Sequence, residues 1–212
     1  MNSFNTHRSM RRGIIKIITV DDHPVVRNGI NDIVQDEKDM TVIYEASRVS
    51  ELLDLLKSQK PDVILLDISL PHISGFEALP IIKGLYPEIK IIMLSALSED
   101  VFASKCLDAG AMAFLSKESS PEELPKAIRT VIKGTIYISP SFAQKLAVNY
   151  IKGSGKNVFD NLSQREFEVF VTLGSGLTVN EVAARLKLSV KTVGTYRIRI
   201  MEKMGMKKIK DE

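Results

Sequence analysis

Between residues 14 and 133 the chain alternates, five times over, a short run of Ile, Val and Leu with a segment whose apolar residues recur at helical spacing. The runs fall at 14–20, 40–46, 62–66, 89–94 and 113–115. The first predicted helix opens on Pro24, at home in a first helical position, and carries Val25, Val26, Ile30, Ile33 and Val34. The second spans 50–57. The third spans 76–85 and is ended by Pro87. The fourth runs to about Asp108, with Gly110 as its stop signal, and the fifth from Ser120 and Pro121 to Lys133. Strand-helix alternation of this kind calls for a parallel sheet covered by helices on both faces.

The predicted fold class is therefore α/β, a flavodoxin-like (βα)5 doubly wound domain with strand order 2-1-3-4-5. Ligands of such sheets sit outside the carboxyl ends of the strands, at the point where the strand order reverses. Asp21 and Asp22 end the first run, and Asp67 ends the third. Ser95 follows the fourth run and Lys117 the fifth, at the same edge. Taken singly, each has a plainer reading: a turn aspartate, a capping serine, a surface lysine. Together they form a constellation. Three carboxylates at one edge repel one another and call for a cation, and oxygen ligands suit a hard divalent ion such as Mg²⁺. With that charge in place Asp67 can attack a phosphoryl group, and Lys117 and Ser95 can meet its oxygens.

Past residue 135 the pattern changes. Ser139 and Pro140 open a connector helix, and residues 152–157 (Lys, Gly, Ser, Gly, Lys, Asn) have linker composition. Beyond them only helices are expected. Ser163 with Glu166 and Thr178 with Glu181 form capping boxes, Ser189 caps a third helix, and residues 186–189 make the tight turn of a helix-turn-helix. Charge follows the same division: 11 Lys/Arg against 7 Asp/Glu from Lys156 onward, but 14 against 19 from Ile17 to Gly155. A small basic unit on an acidic body points to a polyanionic partner. The predicted layout is a disordered basic arm at 1–13, which is no secretory signal, the phosphoacceptor α/β domain at 14–135, a linker with a helix at 136–159 and a helix-turn-helix at 160–212. No apolar run approaches the roughly 20 residues of a membrane span, and the single Cys106 fits a reducing cytosol.

Val20-Asp21-Asp22-His23-Pro24, Leu66-Asp67-Ile68-Ser69-Leu70-Pro71 with Gly75, Leu94-Ser95-Ala96, and Phe114-Leu115-Ser116-Lys117 resemble a two-component receiver domain. Leu162-Ser163-Gln164-Arg165-Glu166, Gly176-Leu177-Thr178 and Leu188-Ser189-Val190-Lys191-Thr192-Val193 resemble a LuxR-type helix-turn-helix. Both in this order resemble the NarL/FixJ family of bacterial response regulators. The resemblance implies a cytoplasmic transcription regulator, not an enzyme beyond self-directed phosphotransfer and autodephosphorylation. Asp67 would accept a phosphoryl group from a sensor histidine kinase. Asp22, Asp67 and the backbone carbonyl of Ser69 would hold Mg²⁺, with Asp21 acting through water. Lys117 would pair with the phosphoryl oxygens, and Ser95 with Phe114 would form the switch pair, although Phe114 also reads as plain core packing. His23 need not be a ligand. Promoter DNA and a homodimer, on phosphorylation or on DNA, would be the other partners.

In the recognition helix, 189–204, Val193, Ile200, Met201 and Met204 are expected to face inward. Lys191, Thr192, Thr195, Tyr196, Arg197, Arg199 and Lys203 remain for DNA, with Thr195 the first base-reading candidate and Lys191, Arg199 and Lys203 mainly positioning. The family's fourth helix is expected to be short or missing, since residues 206–212 are too few for an ordinary apolar-faced helix. Two rival classes stay open: a phosphohydrolase built on the same acidic cluster, and a receiver that acts only by docking to proteins.

Overall fold

A computed structural model of the chain describes residues 13–96, 99–151, 158–174 and 176–206. Residues 1–12 of the arm expected at 1–13, the linker at 152–157 and the tail at 207–212 lie outside the described residues. Five strands form one parallel sheet: β1 (Ile15–Val20), β2 (Met40–Ala46), β3 (Val63–Asp67), β4 (Lys90–Ser95) and β5 (Ala113–Ser116). Their order is β2-β1-β3-β4-β5, as the alternation predicts. Successive side chains of a strand point to opposite faces. Ile18, Ile64, Leu66, Ile91 and Met93 therefore join the core beneath α2 (Val49–Leu56), α3 (Gly75–Leu85) and α4 (Glu99–Asp108). Ile17, Val63, Leu65, Ile92 and Leu115 join the core beneath α1 (Pro24–Gln35) and α5 (Glu123–Ile132). Because both faces are covered, β3 is buried at every residue and reads as an unbroken apolar run.

The fifth helix begins later than Ser120. Pro121 lies in a turn, and the Glu123 amide donates to the Ser120 carbonyl before regular helix starts. Pro125 then sits in the first turn of α5, where its missing donor costs no intrahelical bond. Elsewhere the sequence-derived ends differ by a residue or so; β3, for instance, ends on Asp67 itself.

Connector helix α6 (Pro140–Ile151) is anchored at its start: Ser139 Oγ donates to Glu99 and accepts from the Phe142 amide. Three helices follow: α7 (Gln164–Gly174), α8 (Val179–Arg185) and α9 (Val190–Lys203). Ser163 and Glu166 cap α7 reciprocally, Thr178 and Glu181 do the same for α8, and Ser189 Oγ accepts from the Thr192 amide at the start of α9. The α8–α9 turn places Lys187 at φ 53°, a left-handed conformation that lets the second helix set off at once. Val182, Val193 and Ile200 pack between the helices. The helical unit also meets the sheet unit. The Phe167 ring on α7 lies 5.0 Å from Phe76 of α3 and 5.1 Å from Phe102 of α4. Lys105 Nζ donates to the Leu162 carbonyl, and Arg185 to the Leu70 carbonyl.

Candidate phosphoacceptor site and DNA-facing helix

At the carboxyl edge of the sheet, neighbouring strands β1 and β3 deliver Asp21 and Asp67 side by side, both buried. Lys117, just past β5, spans them: its Nζ lies 2.7 Å from Asp21 Oδ2 and 2.9 Å from Asp67 Oδ2. The Lys117 amide donates to the Ser95 carbonyl, so the ends of β4 and β5 hold the lysine stem in place. Asp22, partly exposed, stands at the mouth. His23 Nδ1 lies 2.8 Å from Asp22 Oδ1 and 3.2 Å from Asp21 Oδ1, and its amide donates to Asp21 Oδ1.

The loop after Asp67 is fixed at both ends. Asp67 Oδ1 accepts from the Ser69 amide at 3.2 Å. The Gly75 amide donates to the Ile68 carbonyl, and Ser74 and Glu77 make a capping box at the start of α3. Gly75 has no room for a side chain, because a Cβ there would lie 1.9 Å from the Asp67 carbonyl oxygen. Glycine thus lets α3 start against the strand end that carries the carboxylate.

Burial pushes the Asp67 carboxyl above its ordinary value, and the like charge of Asp21 adds to this, while the Lys117 ammonium and the Ser69 amide oppose it. Burial would pull Lys117 down, but its bonds to Asp21 and Asp67 prevail and hold it above the ordinary lysine value. Three carboxylates against one ammonium leave an excess of negative charge. Asp21 Oδ2 and Asp67 Oδ2 are buried and have, apart from that ionic contact, no hydrogen bond. One donor atom from each of Asp21, Asp22, His23 and Asp67 falls within 4.8 Å of all the others. This oxygen-rich set fits a hard divalent cation.

Ser95, the last residue of β4, is buried beside Ser116 of β5. Phe114 is buried too, its ring in the core beneath α4.

In α9 the structure separates the candidate DNA residues. Lys191, Thr195, Arg197 and Arg199 are exposed. Thr192 is half-buried and its Oγ1 lies 2.7 Å from Ser189 Oγ, within the cap. Tyr196 packs against the core. Lys203 Nζ donates to Glu166 Oε2 at 2.6 Å and to the Asn161 carbonyl at 3.0 Å, which ties the end of α9 to the start of α7. Two apolar residues, Val190 and Ile198, are exposed on this helix and escaped sequence reasoning. Sorting by polarity hides them; angular position relative to Val193 and Ile200 reveals Ile198, while Val190 lies at the exposed start of the helix.

The model of the response regulator receiver domain matches residues 17–129, and that of bacterial regulatory proteins of the luxR family matches residues 160–211. Response regulator GacA of Pseudomonas aeruginosa is 37% identical over 194 residues, covering 91% of this chain and 91% of that protein. Among solved structures, RcsB from Salmonella enterica serovar Typhimurium, bound to promoter P1flhDC in the presence of the phosphomimetic BeF3−, superposes with a TM-score of 0.77. It is 27% identical, with 92% of this chain and 94% of that chain covered. A structure of two RcsB dimers bound to two parallel DNAs gives a TM-score of 0.73 at 26% identity, covering 92% and 95%. The two matched regions in this order, and the identity along nearly the whole chain, place the protein in the NarL/FixJ family of two-component response regulators, with a receiver followed by a LuxR-type helix-turn-helix.

Proposed function

We propose that Asp67 is the phosphoacceptor of a switch that governs promoter binding by α9. The observation that carries this reading is Lys117 Nζ bridging Asp21 and Asp67 at adjoining strand ends. A carboxylate oxygen of Asp67 attacks the phosphorus of a phosphohistidine on a sensor kinase. The P–O bond forms as the P–N bond breaks, and imidazole leaves. Lys117 is placed to stay with the transferred oxygens, and Ser95, at the next strand end, is placed to offer them its hydroxyl. Asp22, Asp67 and the Ser69 carbonyl would hold Mg²⁺, with Asp21 acting through water, and the ion would supply charge neutralisation of the phosphoryl oxygens. Water attack on the acyl phosphate later restores the carboxylate, so phosphotransfer remains self-directed and no outside substrate is turned over.

In this reading residues 14–135 receive the signal, 136–159 connect, and 160–212 bind DNA. Lys191, Thr195, Arg197 and Arg199 form the DNA face, with Lys203 holding the helix. Ser95 and then Phe114 move toward the phosphate and alter the face that carries Phe102, where Phe167 of the helical unit docks. RcsB, with its promoter, phosphomimetic and dimer structures, supports DNA binding, phosphate dependence and a homodimer for this relative as well. The absence of a membrane-crossing helix among the described residues accords with a cytoplasmic regulator. A mobility-shift titration on promoter fragments, with and without acetyl phosphate, tests the switch. Tighter binding on phosphorylation, lost in Asp67→Asn, is expected; equal binding in all arms refutes it.

A further inference from the structure

An α-helix turns about 100° per residue, or 3.6 residues per turn. Val193 and Ile200 of α9 face the core, so the opposite strip carries Lys191, Thr195, Ile198 and Glu202. Three of these are polar. Ile198 is not, yet it is 47% exposed. Single exposed apolar residues are common; what gives this one weight is its setting. One turn earlier stands Gly194, where an added Cβ would meet nothing within 4 Å. Ile198 therefore overlooks a stretch of helix with no side chain, where the backbone can come close to another surface. Lys191 and Arg199 flank it with positive charge. Val190 lies off the strip, so no contiguous apolar patch exists there of the kind that a protein partner needs.

The hydrogen-bonding capacity of the strip is correspondingly small. Thr195 Oγ1 donates to the Lys191 carbonyl at 3.0 Å, which leaves the hydroxyl only as an acceptor. Glu202, exposed in the last turn of α9, adds a negative charge to the strip and no donor. The major groove of a duplex, about 12 Å wide, admits an α-helix. Within that groove the apolar feature of a base edge is the C5 methyl group of thymine.

We propose that Ile198 determines sequence specificity by packing on a thymine 5-methyl group, in the space left open by Gly194. The inference rests on the reading that α9 enters the major groove, and it adds that base identity there is read by apolar contact.

Deoxyuridine lacks only that methyl group, so it isolates the contact. The probe is the duplex selected from a random library by the full, acetyl-phosphate-treated chain, with each thymine in turn replaced by deoxyuridine. Burying one methyl group corresponds to about four-fold in affinity. The expected result is one position per half-site where the replacement weakens binding about four-fold in the wild type. In Ile198→Ala thymine and uracil should bind alike there, while Ile198→Val, which keeps a branched apolar group, should retain most of the difference. The wild-type scan needs no variant, so a folding defect cannot mask it. If a sequence is selected but no thymine shows a penalty, or Ile198→Ala shows the same penalty, the proposal is overturned and DNA binding by α9 stands. If no sequence is enriched over bulk DNA, both fall.

Discussion

Gly75→Ala is a one-methyl change with a large expected effect. The added Cβ would lie 1.9 Å from the Asp67 carbonyl oxygen, 2.9 Å from its carbon and 3.0 Å from Leu66 Cγ. Ordinary contact starts at 3.4 Å, so about 1.5 Å must be found. The strand side cannot easily yield, because β3 is buried and paired on both edges. The start of α3 must move instead, which strains the Gly75 amide bond to the Ile68 carbonyl and the Ser74–Glu77 cap. Overpacking of this kind costs about 3 kcal/mol, and a shift near 1 Å of the loop at 68–74, which carries Ser69 beside the Asp67 carboxylate, would slow phosphorylation by roughly 10²-fold. Gly29→Ala is the control. Its Cβ would meet nothing within 4 Å, and it sits inside α1. There alanine should stabilise by up to about 1 kcal/mol. Urea unfolding followed by circular dichroism, with acetyl phosphate labelling in parallel, measures both. A loss under about 1 kcal/mol in Gly75→Ala with normal labelling would refute the steric argument.

Three other outcomes follow from the geometry. Arg199→Ala should flatten the log-log salt dependence of DNA binding by about 0.9 for each phosphate no longer neutralised, whereas Lys203→Ala should leave that slope unchanged and destabilise the helical unit by about 1–3 kcal/mol, both read by titrations at several salt concentrations and by urea unfolding. Burial would raise the Glu166 carboxyl, but Lys203 and the Ser163 bonds prevail and hold it below its ordinary 4.5; its stabilisation is therefore full above pH 4.5 and lost as pH falls through the lowered value, so the stability gap between wild type and Glu166→Gln should shrink below pH 4.5 in urea midpoints. Phe102→Ala removes one of the two rings against Phe167, and solution scattering should show a larger radius of gyration; an unchanged profile would count against that packing.

The parts legible in the sequence are those dictated by local chemistry. The apolar runs, Pro24, the stop at Gly110 and the caps at Ser163, Thr178 and Ser189 each act within a few residues, and strand order followed from the alternation. The site edge was legible for a related reason: polar residues that end buried strands of a parallel sheet share one edge whatever the loops do. What stayed hidden depends on distant partners. Lys203 reads as a DNA contact until Glu166, a helix away, takes its charge. Phe76, Phe102 and Phe167 lie far apart in the sequence, and only the structure brings the Phe167 ring edge-on and tilted against the other two across the two units. Pro121 looks like a helix start, yet the turn after β5 must first bring Lys117 over Asp67.

Everything downstream of the sheet edge depends on Asp67 being the residue that takes the phosphoryl group. Intact-mass and peptide mass spectrometry of the full chain, incubated with acetyl phosphate and Mg²⁺, reads this directly. One added phosphoryl group is expected, mapped to Asp67, absent in Asp67→Asn and absent when EDTA removes the metal. Undiminished labelling of Asp67→Asn, or of the wild type in EDTA, would contradict it.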